Sequence, residues 1–204
     1  MDTIKKILLA LTTLSVINGC AIAPYSGPTT AQSVGKGNFQ TATSVLPVPA
    51  QSIAYGLTDN TDIGALIEMQ MEVVSSIWVK HQMSKKNNPH RFALLAGAYM
   101  SDDDADSKGY YLGPIWSYQT GQWEPYTRLR YNYVDWKGYF DLDSHDRDDL
   151  SNIFKEQDHT FSYLSLDTGT KYHFTDTFSI GFGLVSLYKD ELDVGYQLNF
   201  TWNL

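Results

Sequence analysis

The sequence predicts an all-β fold, a closed antiparallel up-and-down barrel of about ten strands, and three observations predict it. Apolar and polar residues alternate with a period of two from about residue 35 to the end. Turn-forming clusters interrupt that alternation at short, fairly even intervals. The polar face is built largely of Gly, Ser, Thr and Asn, which suits a narrow interior better than large apolar side chains do.

The elements follow in order. Strands are expected at about 35–46, 51–58, 61–70, 74–83, 91–100, 108–119, 122–135, 159–174, 177–188 and 191–203. The last is the cleanest: Leu192, Val194, Tyr196, Leu198, Phe200, Trp202 and Leu204 fall on one face, and Asp193, Gly195, Gln197, Asn199, Thr201 and Asn203 on the other. In 126–134, Leu129, Tyr131 and Tyr133 oppose Arg128, Arg130 and Asn132. In 162–174, Leu164, Leu166, Tyr172 and Phe174 oppose Ser165, Asp167, Gly169, Lys171 and His173. An eight-stranded closure is the alternative.

Thr58–Thr61, Lys85–Pro89, Thr120–Gln122 and Thr175–Asp176 read as tight turns. The alternate connections are longer or acidic, notably 101–108 and 138–158. Short turns at one end and long loops at the other are what a transmembrane barrel shows, with the turns periplasmic and the loops external. A water-soluble barrel would turn Lys, Glu and Asp outward along every strand. Here the crowded face is Tyr, Trp, Phe and Leu, so that face is expected to meet lipid. Tyr118, Trp123, Tyr172, Phe174, Phe178 and Trp202 would form an interfacial girdle. A periplasmic lipocalin-like binding lipoprotein is the competing reading.

Composition excludes other classes. Five Trp, 14 Tyr and nine Phe in 204 residues exclude a disordered chain, and one Cys excludes a disulfide scaffold. A net charge of −8 argues against nucleic acid as a partner. Lys5 and Lys6 precede an apolar stretch, Ile7–Ile17, of signal-peptide length. Ile17-Asn18-Gly19-Cys20 resembles a bacterial lipobox. That resemblance implies a signal peptide over 1–19, acylation of Cys20, and, with Ala21 next, sorting to the outer membrane of a Gram-negative bacterium. Pro24, Gly27 and Pro28 make 20–34 a lipidated tether ahead of a barrel domain at 35–204.

Asp193, Gly195, Leu198 and Phe200 occupy the four specified positions of a motif that resembles the C-terminal assembly signal of outer-membrane β-barrel proteins. The resemblance implies recognition by the barrel-assembly machinery, and the chain's size is similar to that of the small OmpA- and OmpX-like barrels. The chain ends Trp202-Asn203-Leu204 rather than on the family's usual aromatic residue.

Inward charges are expected at Asp62, Glu68, Lys80, Arg128, Arg130, Asp167, Lys171 and Asp193. In a water-poor lumen they must pair, so a charge network that fills and stiffens the barrel is the primary reading. A narrow small-solute channel with Arg128 and Arg130 at its constriction is the alternative. Two acidic loops, 101–106 and 141–149, are expected outside. Asp102, Asp104, Asp143 and Asp146 are weak candidates for binding divalent cations, which could bridge to lipopolysaccharide phosphates. Asp143-Ser144-His145, with Asp102 and Asp104, is similar in spacing to the sites of omptin-type outer-membrane proteases. That resemblance implies a rim-located hydrolase with His145 as base, a minor alternative to a non-enzymatic barrel that needs no cofactor. The roles expected are envelope integrity or surface interaction.

Overall fold

A computed structural model describes residues 23–70, 73–85, 88–101, 107–138, 157–189 and 192–204. Ten antiparallel strands form one closed sheet: β1 (Phe39–Leu46), β2 (Ala50–Gly56), β3 (Thr61–Met69), β4 (Val73–Gln82), β5 (His90–Ser101), β6 (Ser107–Tyr118), β7 (Trp123–Gly138), β8 (Gln157–His173), β9 (Phe178–Tyr188) and β10 (Leu192–Asn203). Each strand pairs with its sequence neighbours, and β1 closes on β10 through pairs such as Gln40↔Asn203 and Thr43↔Phe200. Ten strands replace the eight-stranded alternative. The strand positions match the alternation to within a few residues, except that 35–38 is a turn and not part of β1.

Side-chain direction follows the pleat. Along β4, Val73, Ser75, Ile77, Val79 and His81 are exposed, while Val74, Ser76, Trp78, Lys80 and Gln82 are buried. The same period turns Ile53, Ile67, Leu94, Leu112, Leu129, Leu164, Phe182 and Val194 outward from other strands. So large an apolar band on a closed sheet has only hydrocarbon as a solvent that suits it. The structure is thus a transmembrane barrel rather than a soluble one. At the short-turn end the outward rings form a continuous chain of contacts. Trp123–Tyr172 and Tyr172–Phe174 are each 4.7 Å apart by centroid, and Phe174–Phe178 and Phe178–Trp202 follow at 5.7 and 5.4 Å.

The short turns are closed by hydroxyls. Thr58 Oγ1 accepts from the amides of Asn60 and Thr61, and Thr175 Oγ1 accepts from those of Thr177 and Phe178. At the other end β7 and β8 run longest, paired as far as Gly138↔Gln157.

The interior differs from the expectation in one respect. Small residues do line part of it, but Trp78, Leu95, Tyr99, Tyr111, Ile115, Tyr126 and Tyr163 also point inward and are buried. Glycines opposite them make the room: a Cβ on Gly64 would sit 2.2 Å from the Trp78 ring.

Candidate functional site

Among the described residues, the segment before β1 does not hang free. Residues 20–34 are expected as a tether, yet 23–34 enters the lumen and runs its full length. Entry is set by backbone geometry at the short-turn end. Gly35 and Gly37 take φ of 87° and 81°, a left-handed turn that L side chains rarely adopt. The Gly37 amide donates to the Gly56 carbonyl at 2.9 Å, and the Gly56 amide to the Asn38 carbonyl at 3.0 Å. Gly56 must lack a side chain, because a Cβ there would lie 1.9 Å from the Gly35 carbonyl oxygen.

From that turn the segment, here called the thread, climbs past β3. Asp62 accepts from Ser33 Oγ at 2.6 Å and from the Val34 amide at 3.1 Å, and the Ser33 amide donates to Gln82 Oε1 at 2.8 Å. Lys80 Nζ donates to the Gln32 carbonyl at 2.5 Å and pairs with Asp62 at 3.2 Å. The Ala31 amide donates to Ser117 Oγ at 3.2 Å. Higher up, Arg128 Nη1 donates to the Pro28 carbonyl, and Arg128 Nη2 and Arg130 Nη2 both donate to the Tyr25 carbonyl. Glu68 accepts the Tyr25 and Ser26 amides at 3.0 and 2.9 Å, one on each carboxylate oxygen. At the long-loop end Gln70 Nε2 donates to the Ala23 carbonyl at 3.0 Å. Asp62 and Gln70 stand near opposite ends of β3, so the thread spans the lumen from turns to loops.

The physical logic is mutual satisfaction. A Pro- and Gly-containing segment cannot form a regular ladder, so its amides and carbonyls need other partners when buried. Buried guanidinium and carboxylate groups need several hydrogen bonds each to offset desolvation. Each supplies what the other lacks. Arg128, Arg130, Asp62, Glu68 and Asp167 are all at 0–1% exposure, and Ala23 and Ala31 are fully buried.

All seven inward charges expected from 62 to 171 point into this interior. Asp62 pairs with Lys80; Asp167 accepts from Arg128 Nε and lies 4.0 Å from Arg130. Among the described residues Lys171 makes no hydrogen bond or close ion pair; it sits across the β7–β8 ladder from Glu124. Asp193 is exposed at the loop end of β10 and, among the described residues, joins no network. Leu198 and Phe200 lie on the opposite face from Gln197 and Asn199, which are buried in the lumen. Cys20, Asp102, Asp104, Asp143, His145 and Asp146 lie outside the described residues.

Further partners escape sequence reasoning. Glu124 is buried and receives Ser117 Oγ at 2.8 Å, His173 at 3.0 Å and Arg91 at 3.5 Å. Asn132 and Ser165 bracket Arg130, with Arg130 Nε donating to Ser165 Oγ at 3.3 Å. Their alternation places them inward; nothing in the sequence marks them as partners.

No family model matches the chain, and no curated protein matches it. Solved structures do. The N-terminal barrel domain of OprF from Pseudomonas aeruginosa is 14% identical, with 83% of this chain and 99% of that one covered at a TM-score of 0.43. The attachment invasion locus protein Ail of Yersinia pestis is 12% identical, with 82% and 99% covered at 0.40. Neisserial surface protein A is 15% identical, with 83% and 97% covered at 0.37.

Proposed function

We propose that this protein is a non-enzymatic outer-membrane barrel lipoprotein that serves envelope integrity or surface interaction, with a lumen closed by its own N-terminal segment. The observation that carries the reading is the thread: its carbonyls and amides are bound by Arg128, Arg130, Lys80, Glu68 and Asp62 along the whole lumen. Such an interior is a packed core and not a solute path. Specificity then resides at the long-loop end, where the acidic segments 101–106 and 141–149 can meet divalent cations held by lipopolysaccharide phosphates.

The thread also bears on the lipid. With turns periplasmic and loops external, Ala23 stands at the external mouth beside Gln70. Cys20 is three residues upstream, and three residues span at most about 11 Å. Acyl chains on Cys20 would therefore be held at the outer rather than the periplasmic leaflet. Two measurements test the proposal. The full chain in a planar bilayer should be silent; steady conductance altered by Arg128→Ala would support the solute channel instead. Palmitate should label the protein and be lost in Cys20→Ser; label that persists, or none at all, removes the lipoprotein reading.

A further inference from the structure

One polar cluster stands on the face that meets lipid. Thr41 and Thr43 on β1 and Gln51 on β2 point outward, because the residues between them, Ala42, Ala50 and Ser52, line the interior. Thr43 Oγ1 donates to Gln51 Oε1 and Gln51 Nε2 donates to Thr41 Oγ1, both at 2.6 Å. Thr41 Oγ1 in turn donates to the Ser52 carbonyl at 3.0 Å. The amide of Gln51 is therefore held by a threonine on each side.

Its depth is that of the mid-bilayer. Gln51 and Ile77 each stand five residues from the short-turn end of their strands, Gly56 and Gln82. At about 3.3 Å per residue and a tilt of about 40°, that is roughly 13 Å, half of an apolar band about 25 Å tall. Ile77, Leu94, Leu129 and Phe182 face outward near that level on other strands. Among the described outward residues there, Gln51 alone carries an amide or a charge. Its bonding capacity is not spent. A primary amide has two N–H donors and a carbonyl oxygen with two lone pairs. Each atom has one partner, so one N–H and one lone pair are left over among the described residues. Hydrocarbon supplies a partner for neither, which is costly.

We propose that this face docks a second copy of the chain, Gln51 of one protomer against Gln51 of the other across a two-fold axis along the membrane normal. Two features select that occupant. The free N–H and the free acceptor belong to one amide, so two copies exchange two hydrogen bonds and leave nothing over. Copies inserted in one orientation also carry each residue at the same depth, so Gln51 meets its own copy without any shift of level. A different protein would need a matching group at that level. The surroundings permit the approach: Thr41, Thr43 and Ala65, neighbours by register, are small. Ile53 and Ile67 flank the amide, exposed to 51% and 54%, and supply apolar contact.

The pairing depends on neither the lumen nor Cys20, so the test uses the full chain carrying Cys20→Ser. In phosphatidylcholine vesicles under mild oxidant, Gln51→Cys should form a disulfide-linked dimer, while Leu129→Cys, across the barrel on β7, should stay monomeric. Sedimentation equilibrium in detergent micelles should show a dimer when Gln51 is present. Gln51→Leu should associate roughly tenfold more weakly, with heat-modifiable migration unchanged. Equal cross-linking at 51 and 129 overturns the proposal, as does undiminished association of Gln51→Leu. A chain with Gln51 that is monomeric at every concentration overturns it too, and leaves the face to lipid or to a different membrane protein.

Discussion

Arg128 reaches across the barrel interior to Pro28, one hundred residues earlier in the chain, and donates from Nη1 to its carbonyl at 2.9 Å. The same guanidinium is held by Asp167 through Nε. One side chain thus joins wall to thread, and the wall's own ion pair aims it. Without Asp167, two buried guanidinium groups, Arg128 and Arg130, lose their counter-charge. Asp167→Ala should cost about 3–5 kcal/mol in urea unfolding monitored by tryptophan fluorescence. Lys108→Ala removes only an exposed pair with Asp135 at 3.8 Å and should shift stability by less than about 1 kcal/mol. Equal losses in the two variants would show that the interior pair has no special weight.

Glu68 tests the thread more locally. Its two oxygens take the amides of Tyr25 and Ser26, so Glu68→Ala removes the acceptor from one part-buried and one buried donor. Each such donor costs about 1–3 kcal/mol. Hydrogen exchange at Tyr25 and Ser26 should accelerate sharply in the variant, while the Val34 amide, bound to Asp62, keeps its protection. Fast exchange at all three residues in the unaltered protein would contradict a bound thread.

The barrel was legible in the sequence because alternation and turn chemistry are local signals. Leu192 to Leu204 display their outward face by period alone, and Thr58 and Thr175 mark turns by their hydroxyls. The thread was not legible, because Pro24, Gly27 and Pro28 are as fitting in a solvated linker as in a lumen. Its signal lay elsewhere, in a shortage of partners. Among the inward charges foreseen from sequence, Asp62 has Lys80 and Asp167 has Arg128, whereas Glu68 accepts from the Tyr25 and Ser26 amides of the thread and from Gln70 Nε2. The large inward rings were also missed: Trp78 and Tyr111 fit only because Gly64 and Gly97 face them.

Close backbone approach makes a further prediction. Between Leu112↔Tyr131 and Ile115↔Arg128 the β6–β7 ladder is interrupted at Gly113 and Pro114, where proline offers no amide. A Cβ on Gly113 would fall 1.8 Å from the Leu129 carbonyl oxygen, a backbone atom that cannot swing away. Gly113→Ala should destabilise the barrel by about 1–3 kcal/mol and reduce the fraction migrating as the compact, heat-modifiable form. Unchanged migration would mean that β6 can shift at no cost.

The orientation of the greasy face has its own test at Ile77. This residue points outward midway along β4 and is 68% exposed. Ile77→Arg should cost about 2–4 kcal/mol for insertion into a bilayer, whereas His81→Arg, near the short-turn end of the same face, should cost roughly 0–1 kcal/mol. Folding into vesicles of stated lipid, read by protease protection, measures both. Equal tolerance at the two positions would mean that Ile77 does not meet hydrocarbon.

The threaded lumen is tested most directly by joining the thread to the wall. The Ala31 amide lies 3.2 Å from Ser117 Oγ, a spacing that brings the two residues within reach of a disulfide. In a Cys20→Ser background, Ala31→Cys with Ser117→Cys should form an intramolecular disulfide in the folded protein under mild oxidant, with both thiols lost and no labelling by maleimide. Two free thiols after oxidation, with residue 31 labelled by a membrane-impermeant maleimide, would place the segment outside the barrel and contradict the account.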